Sequence, residues 1–236
     1  MSIEDVKARN LHHKAHKSGW LRAAVLGSND GLVATASLMI GVAAASSNKS
    51  FLVTAGLAGI IAGSMSMGVG EYISVNSQTD IEEADRQMEI EHLALDPDGE
   101  LEELTQIYIE RGLDRELASR VAKTMTEKDA LEAHLRDELG QFEHTKARPV
   151  QAAIASSISY IAGGIIPFIG AFAPTSGARA WSIVAFTELG LIATGVLSAR
   201  SAGSSFGKTT LRIVIGGSLG MAITAGIGTI VHISGI

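Results

Sequence analysis

Five stretches of this chain are long and apolar enough to cross a bilayer: residues 20–46, 51–75, 150–173, 180–199 and 213–236. A helix needs about 20 residues for that. One such run fits the buried helix of a soluble protein; five point to an all-α polytopic membrane protein, because in lipid a helix satisfies its backbone polar groups internally. Composition agrees: 46% of residues are hydrophobic, only 5% are aromatic, and 26 are glycine. Small and aliphatic side chains let helices pack closely in lipid. The absence of cysteine excludes disulfide scaffolds, thiolate metal sites and cysteine nucleophiles. A net charge of −6 argues against a nucleic-acid partner.

The charge is unevenly spread. Residues 76–148 carry 20 acidic and 9 basic side chains, a net of −11, whereas the other 163 residues carry 5 and 10, a net of +5. The chain therefore reads as spans one and two with an N-terminal segment (1–75), an acidic insert (76–148), and spans three to five (149–236). Basic residues flank the spans on one side: Lys7, Arg9, Lys14, Lys17 and Arg22 at the start, Lys146 and Arg148 before span three, and Arg200, Lys208 and Arg212 between spans four and five. The opposite loops offer only Lys49 and Arg179. The positive-inside rule then places the N-terminus and the insert in the cytoplasm and the C-terminus outside. The polar opening with no small-residue cleavage site speaks against a cleaved signal peptide. His12, His13 and His16 read as part of a basic interfacial segment before they read as metal ligands.

The insert has helical punctuation. Asp96 before Pro97 is a cap followed by a first-turn proline, and Leu101, Leu104, Ile107 and Tyr108 recur at helical spacing. Gly112 ends that element, and Asp114 caps another carrying Leu117 and Val121. Thr126 with Asp129 resembles a capping box ahead of Leu131, Leu135 and Leu139. Residues 77–93 continue span two as helix. Candidate ligands fall one turn apart: Glu89 with His92, Glu100 with Glu103, and His134 with Glu138, each pair on one face. If the apolar stripes pack together, these groups converge. Carboxylate with imidazole suits Mn²⁺, Fe²⁺ or Zn²⁺ over Cu⁺, and Glu-x-x-His is also the pattern of di-iron bundles. Spacing alone leaves a solvated acidic face open as well, which is the reading for Asp80, Glu82, Glu83 and Asp85.

Ionisable residues inside spans are functional candidates. Asp30 lies too deep in span one to be an end cap, between Gly27 and Gly31, which can loosen the helix. Met67 and Glu71 lie on span two, where thioether coordination competes with packing filler and with a snorkelling charge. Glu188 in span four has no obvious partner nearby in sequence, and reads either as a proton carrier or as a group that meets a polar residue on another helix. Tyr160 and Pro167 in span three can line or bend a pathway. Gly59-x-x-x-Gly63 and Gly216-x-x-x-Gly220 offer close helix contacts, within one chain or between protomers.

Taken in order, these residues resemble the vacuolar iron transporter family. The run Gly19-Trp20-Leu21-Arg22 through Gly27-Ser28-Asn29-Asp30-Gly31 is similar to its first span. Gly63-Ser64-Met65-Ser66-Met67-Gly68-Val69-Gly70-Glu71-Tyr72, Arg148-Pro149-Val150-Gln151 leading to Gly163-Gly164-Ile165-Ile166-Pro167, and Ala199-Arg200-Ser201 through Gly216-Gly217 match later segments. The resemblance implies a five-span homodimer with a cytoplasmic helical metal-binding domain between spans two and three, exporting Fe²⁺ and often Mn²⁺ in exchange for protons. It implies pathway roles for Asp30 and Met67, places Glu71 on a common glutamate of bacterial-type members, and puts Glu89, Glu100, Glu103 and Glu138 on the carboxylate ligands. His92 and His134 stand where plant-type members carry a carboxylate and a methionine; both are competent ligands. Gly59 replaces an acidic residue of plant-type span two, which leaves the coupling residue open, with Glu71 and Glu188 as candidates to compensate.

The expectation is thus a non-enzymatic divalent-metal exporter of a bacterial plasma (inner) membrane, with Fe²⁺ or Mn²⁺ as cargo, Zn²⁺ as a further candidate at the insert, and no organic cofactor. The competing readings are a membrane-anchored di-iron ferroxidase or iron-storage module, and a metal-sensing domain that gates a pore.

Overall fold

The computed structural model describes residues 18–141, 148–202 and 205–234. They form seven helices: α1 (Ser18–Ala45), α2 (Lys49–Leu95), α3 (Pro97–Glu110), α4 (Arg115–Asp137), α5 (Pro149–Gly170), α6 (Ser176–Ala202) and α7 (Phe206–Ser234). Five of them, α1, α2, α5, α6 and α7, are long and apolar enough to cross a membrane. The chain divides into two compact units, Met1–Ile73 with Pro149–Ile236, and Ser74–Arg148. The N-terminal residues Lys7 to Lys17, with His12, His13 and His16, and also Lys146, lie outside the described residues.

In the first unit α1 packs most extensively on α5, and also against α6 and α7. The reason is the absence of side chains. A Cβ on Gly27 would stand 2.4 Å from the Ser156 carbonyl oxygen, one on Gly31 2.1 Å from that of Tyr160, and one on Gly163 2.2 Å from that of Ser28. Only glycine lets the two backbones approach this closely, and in lipid such van der Waals contact is a principal source of helix association. These glycines therefore do not loosen α1, which runs unbroken past Asp30. Gly59 and Gly63 also stand at close contacts between helices, made with side chains: a Cβ would lie 2.5 Å from Leu38 Cδ2 and 2.0 Å from the Tyr160 hydroxyl, respectively. Within the chain, Gly216 faces open space and Gly220 meets Val33 and Ser37 at ordinary distance. A buried cluster of Ala36, Met39, Ile40, Leu52, Ala171, Ile183 and Met221 fills the interior. The outer surface is apolar, with Phe51, Ile158, Trp181 and Leu219 each more than half exposed, as lipid contact requires.

Two span boundaries differ from the expected ones. α5 stops at Gly170, because the amides of Ala171, Phe172 and Ala173 turn back to carbonyls three residues earlier. The last helix begins at Phe206, so Lys208 and Arg212 sit in its first turns and not in a loop.

In the second unit the caps form as the sequence dictates. Asp96 Oδ1 accepts from Gly99 N at 3.0 Å with Pro97 in the first turn, and Asp114 Oδ1 accepts from Leu117 N at 3.0 Å. Gly112, at φ +100°, ends α3. The Thr126 capping box does not form. Asp129 leaves helical geometry (φ −166°, ψ 98°) and caps the restarted helix itself, accepting from Glu132 N at 2.9 Å. Leu104, Tyr108, Ala118, Ala122 and Ala133 make the core. Alanines carry the α4 contact: Ala118, Ala122 and Ala133 are buried, whereas Leu117 is 37% exposed and Leu131 and Leu135 are only partly buried. Asp137 fastens the two helices, accepting from Tyr108 Oη and from Arg111 Nη1, both at 2.7 Å.

Candidate functional site

Two groups of chemically active side chains stand out, one in each unit. In the second unit three helices converge. The last turns of α2 bring Glu89, the first turn of α3 brings Glu100, and α4 beyond its kink brings His134. All three are buried, at 4%, 8% and 0% exposure, and one donor atom from each lies within 4.8 Å of the others. His134 Nδ1 is 3.1 Å from Glu89 Oε1, 3.1 Å from Glu138 Oε2 and 3.6 Å from Glu100 Oε2. His92, half exposed, borders the group with Nδ1 3.7 Å from Glu100 Oε1. Glu103 is exposed and lies outside the cluster.

The electrostatics of this arrangement are unfavourable without a cation. Burial pushes the Glu89 carboxyl above the usual carboxylate range; His134 opposes the shift, Glu138 and Glu100 add to it, and His92 opposes it again. Glu89 Oε1 and His134 Nε2 are buried with no hydrogen-bond partner. The Glu89 oxygen is near the imidazole but not aligned with a donor. Buried polar atoms left unpaired are costly, and carboxylates crowded around one point repel one another. A divalent ion would relieve both, and the donor set of carboxylate and imidazole oxygens and nitrogen fits Fe²⁺, Mn²⁺ or Zn²⁺.

In the first unit a cavity of about 490 Å³ is lined by Asp30 and Val33 from α1, by Gly63, Ser66, Met67 and Glu71 from α2, and by Tyr160 from α5. The α2 residues recur every three or four positions, one helical face. A Cβ on Gly63 would lie 2.0 Å from the Tyr160 hydroxyl, so glycine there is what admits the phenol. Glu71, with a side chain only 11% exposed, has Oε1 3.9 Å from Arg22 Nη2 and no hydrogen bond to it. The cavity thus offers carboxylate, thioether, hydroxyl and phenol groups between apolar helices.

All ten residues singled out from sequence are accounted for. Asp30, Met67, Glu71 and Tyr160 line the cavity; Glu89, Glu100 and His134 form the buried cluster; Glu138 contacts it, His92 borders it and Glu103 stands apart. Ser66 and Gly63 were missed as lining residues, although their positions one turn from Met67 and Glu71 could have revealed them. Arg22 was read for topology alone. Gly59 packs against Leu38, whose Cδ2 would lie 2.5 Å from a Cβ at that position. Glu188 does find a partner, Ser218 on α7, at 2.6 Å. Pro167 is buried in α5 and is not among the cavity-lining residues.

The chain matches known proteins over nearly its whole length. The VIT family profile covers residues 21–229. The sequence is 42% identical over 222 residues to a vacuolar iron transporter of Acanthamoeba castellanii, covering 90% of this chain and 81% of that protein. It is 35% identical over 212 residues to vacuolar iron transporter homolog 1 of Oryza sativa subsp. japonica, covering 89% and 73%. Against vacuolar iron transporter homolog 1 of Arabidopsis thaliana it is 34% identical over 229 residues, covering 96% and 89%. With five apolar helices long enough to span a membrane and a profile match running from the first to the last of them, this chain belongs to the VIT family.

Proposed function

We propose that this protein transports divalent iron or manganese, or both, out of the cytoplasm in exchange for protons, as a homodimer in a bacterial plasma membrane. The observation that carries the reading is the cavity between apolar helices that holds Asp30 beside Met67 and Glu71. An acid inside a span is costly unless it has a task, and this one faces a space large enough for an ion and its remaining waters. The names of the relatives, vacuolar iron transporters and their homologs, support iron as cargo. The distribution of Lys and Arg supports a cytoplasmic N-terminus and a cytoplasmic acidic domain at residues 76–148.

In this account the acidic domain, with a net charge of −11, raises the local concentration of cations and binds them at Glu89, Glu100, His134 and Glu138, with His92 and Glu103 as further ligands on the approach. Asp30 and Met67 then hold the ion in the cavity, Glu71 passes it between mouth and centre, and Tyr160 contributes its hydroxyl. Asp30 exchanges a proton for metal, because a carboxylate must be deprotonated to ligate. Protons on the far side then favour release. No chemical transformation of the ion is involved.

The test is flux. Sealed proteoliposomes with a metal-quenched dye and a pH dye inside should show saturable movement of Fe²⁺ and Mn²⁺, little Ca²⁺ movement, and proton movement in the opposite direction. Metal binding without flux, together with oxidation of Fe²⁺ when oxygen is admitted, would replace transport with ferroxidase activity.

A further inference from the structure

Glu188 is an acid within a span that does not line the cavity, and the geometry around it accommodates both of its protonation states. Ser218 Oγ lies 2.6 Å from Glu188 Oε1 and 2.8 Å from the Val214 carbonyl oxygen. A serine hydroxyl has one proton and two lone pairs, so it cannot donate to both. Both contacts become hydrogen bonds at once when Glu188 is the acid: it donates to Ser218, and Ser218 donates to Val214. When Glu188 is ionised, the Ser218 hydroxyl turns to it and makes a charge-assisted bond, for which 2.6 Å is a typical length. The pair therefore satisfies either protonation state by rotating one hydroxyl.

The elements packed against α6 are α1, α5 and α7. The ionisable residues of these helices are Arg22 and Asp30 on α1, Tyr160 on α5, and Lys208, Arg212 and His232 on α7, while α6 itself carries Arg179 and Arg200. No ion pair among the described residues reaches Glu188. Val33 lines the cavity, and its Cγ2 lies 3.2 Å from where a Cβ on Gly217 would sit. Gly217 immediately precedes Ser218 on α7, so the helix that carries Ser218 packs on a side chain of the cavity wall.

We propose that Glu188 with Ser218 is a proton-binding site coupled to the cavity, losing its proton when a divalent ion enters and regaining it when the ion leaves. On ion entry the carboxyl O–H bond breaks, the proton passes to water, and the Ser218 hydroxyl swings from Val214 to the carboxylate. The charge of the ion acts through the apolar packing of α1 on α7, in a medium of low dielectric. Linkage makes the effect reciprocal: protonation of Glu188 weakens metal binding by the same factor. This inference rests on the antiport reading above and adds to it a residue that does not touch the ion.

The experiment compares wild type, Glu188→Gln and Ser218→Ala in proteoliposomes, recording Fe²⁺ or Mn²⁺ flux and proton counterflow together. Glu188→Gln keeps the hydrogen bond but cannot titrate. Its metal flux down a gradient should persist, with protons moved per metal falling by about half or more and with a flattened pH profile. Ser218→Ala leaves the carboxyl but removes the donor for its anion, so counterflow should remain while the flux profile moves to higher pH. A wild-type proton-to-metal ratio and pH profile in Glu188→Gln would overturn the proposal. If that variant does not fold, an unshifted profile in Ser218→Ala would overturn it. Absence of counterflow in the wild type itself would remove the antiport reading, and this proposal with it, and is distinguishable because it precedes any substitution.

Discussion

Replacing Glu89 by glutamine removes a charge from the junction of α2, α3 and α4 while keeping its volume. Donor atoms of Glu89, Glu100 and His134 lie within 4.8 Å of one another. At that distance, with an effective dielectric near 20, two like unit charges repel by about 3–4 kcal/mol. Part of this is already relieved, since burial raises the Glu89 carboxyl and the imidazoles offset the neighbouring carboxylates. A net gain of roughly 1–2 kcal/mol in the metal-free protein is therefore expected, a factor of about 5–30 in the opening equilibrium. Hydrogen–deuterium exchange of α3 and α4 peptides in the full chain reads this directly: metal-free Glu89→Gln should exchange more slowly than wild type. With metal the order should reverse. Wild type gains about 2.7 kcal/mol at an ion concentration 100 times Kd, whereas the variant, short of one anionic ligand, should gain far less. The pH trend has a definite sign. Because the folded carboxyl is raised, the folded protein holds more protons than the unfolded one, so metal-free stability falls as pH rises from the ordinary glutamate value through the raised one. The glutamine variant should lack that fall. Faster exchange of the metal-free variant, or undiminished protection by metal, would refute the reasoning.

Asp137 should behave oppositely. Burial works against its ionisation, but hydrogen bonds from Arg136, Arg111 and Tyr108 outweigh it and hold its carboxyl well below the usual range. Its contribution is present above the unfolded value near pH 4 and disappears as pH falls toward the folded one; Asp137→Asn should cost about 1–2 kcal/mol at neutral pH and flatten acid unfolding of α3 and α4, as seen by exchange. Gly31→Ala should destabilise the first unit by about 1–3 kcal/mol or more, because its methyl would meet the Tyr160 carbonyl oxygen at 2.1 Å. Gly216→Ala, facing open space, should be neutral or slightly stabilising. Melting of the detergent-solubilised protein distinguishes the two.

The parts of this fold that were legible in sequence are those set by one helix at a time. Apolar runs longer than a bilayer is thick gave the five spans, and Asp96-Pro97, Gly112 and Asp114 marked helix ends through local hydrogen bonding. What escaped depends on partners far away in the chain. Gly27 and Gly31 look like helix breakers until α5 is laid against them. The restart of α4 at Asp129 needed the knowledge that Asp129, and not Thr126, turns out of the helix. Ser218 lies 30 residues from Glu188, with no spacing rule to connect them. The paired spacings named the residues of the junction, yet a one-turn interval cannot say which member faces inward: Glu100 is buried and Glu103 is not.

The account turns on the cavity as the route of the ion, and Asp30 is its test. Metal flux into proteoliposomes by Asp30→Ala should be lost, while the variant melts as wild type does and still binds metal at the Glu89, Glu100 and His134 cluster. Wild-type flux from a folded Asp30→Ala protein would contradict the account and place the ion's path elsewhere.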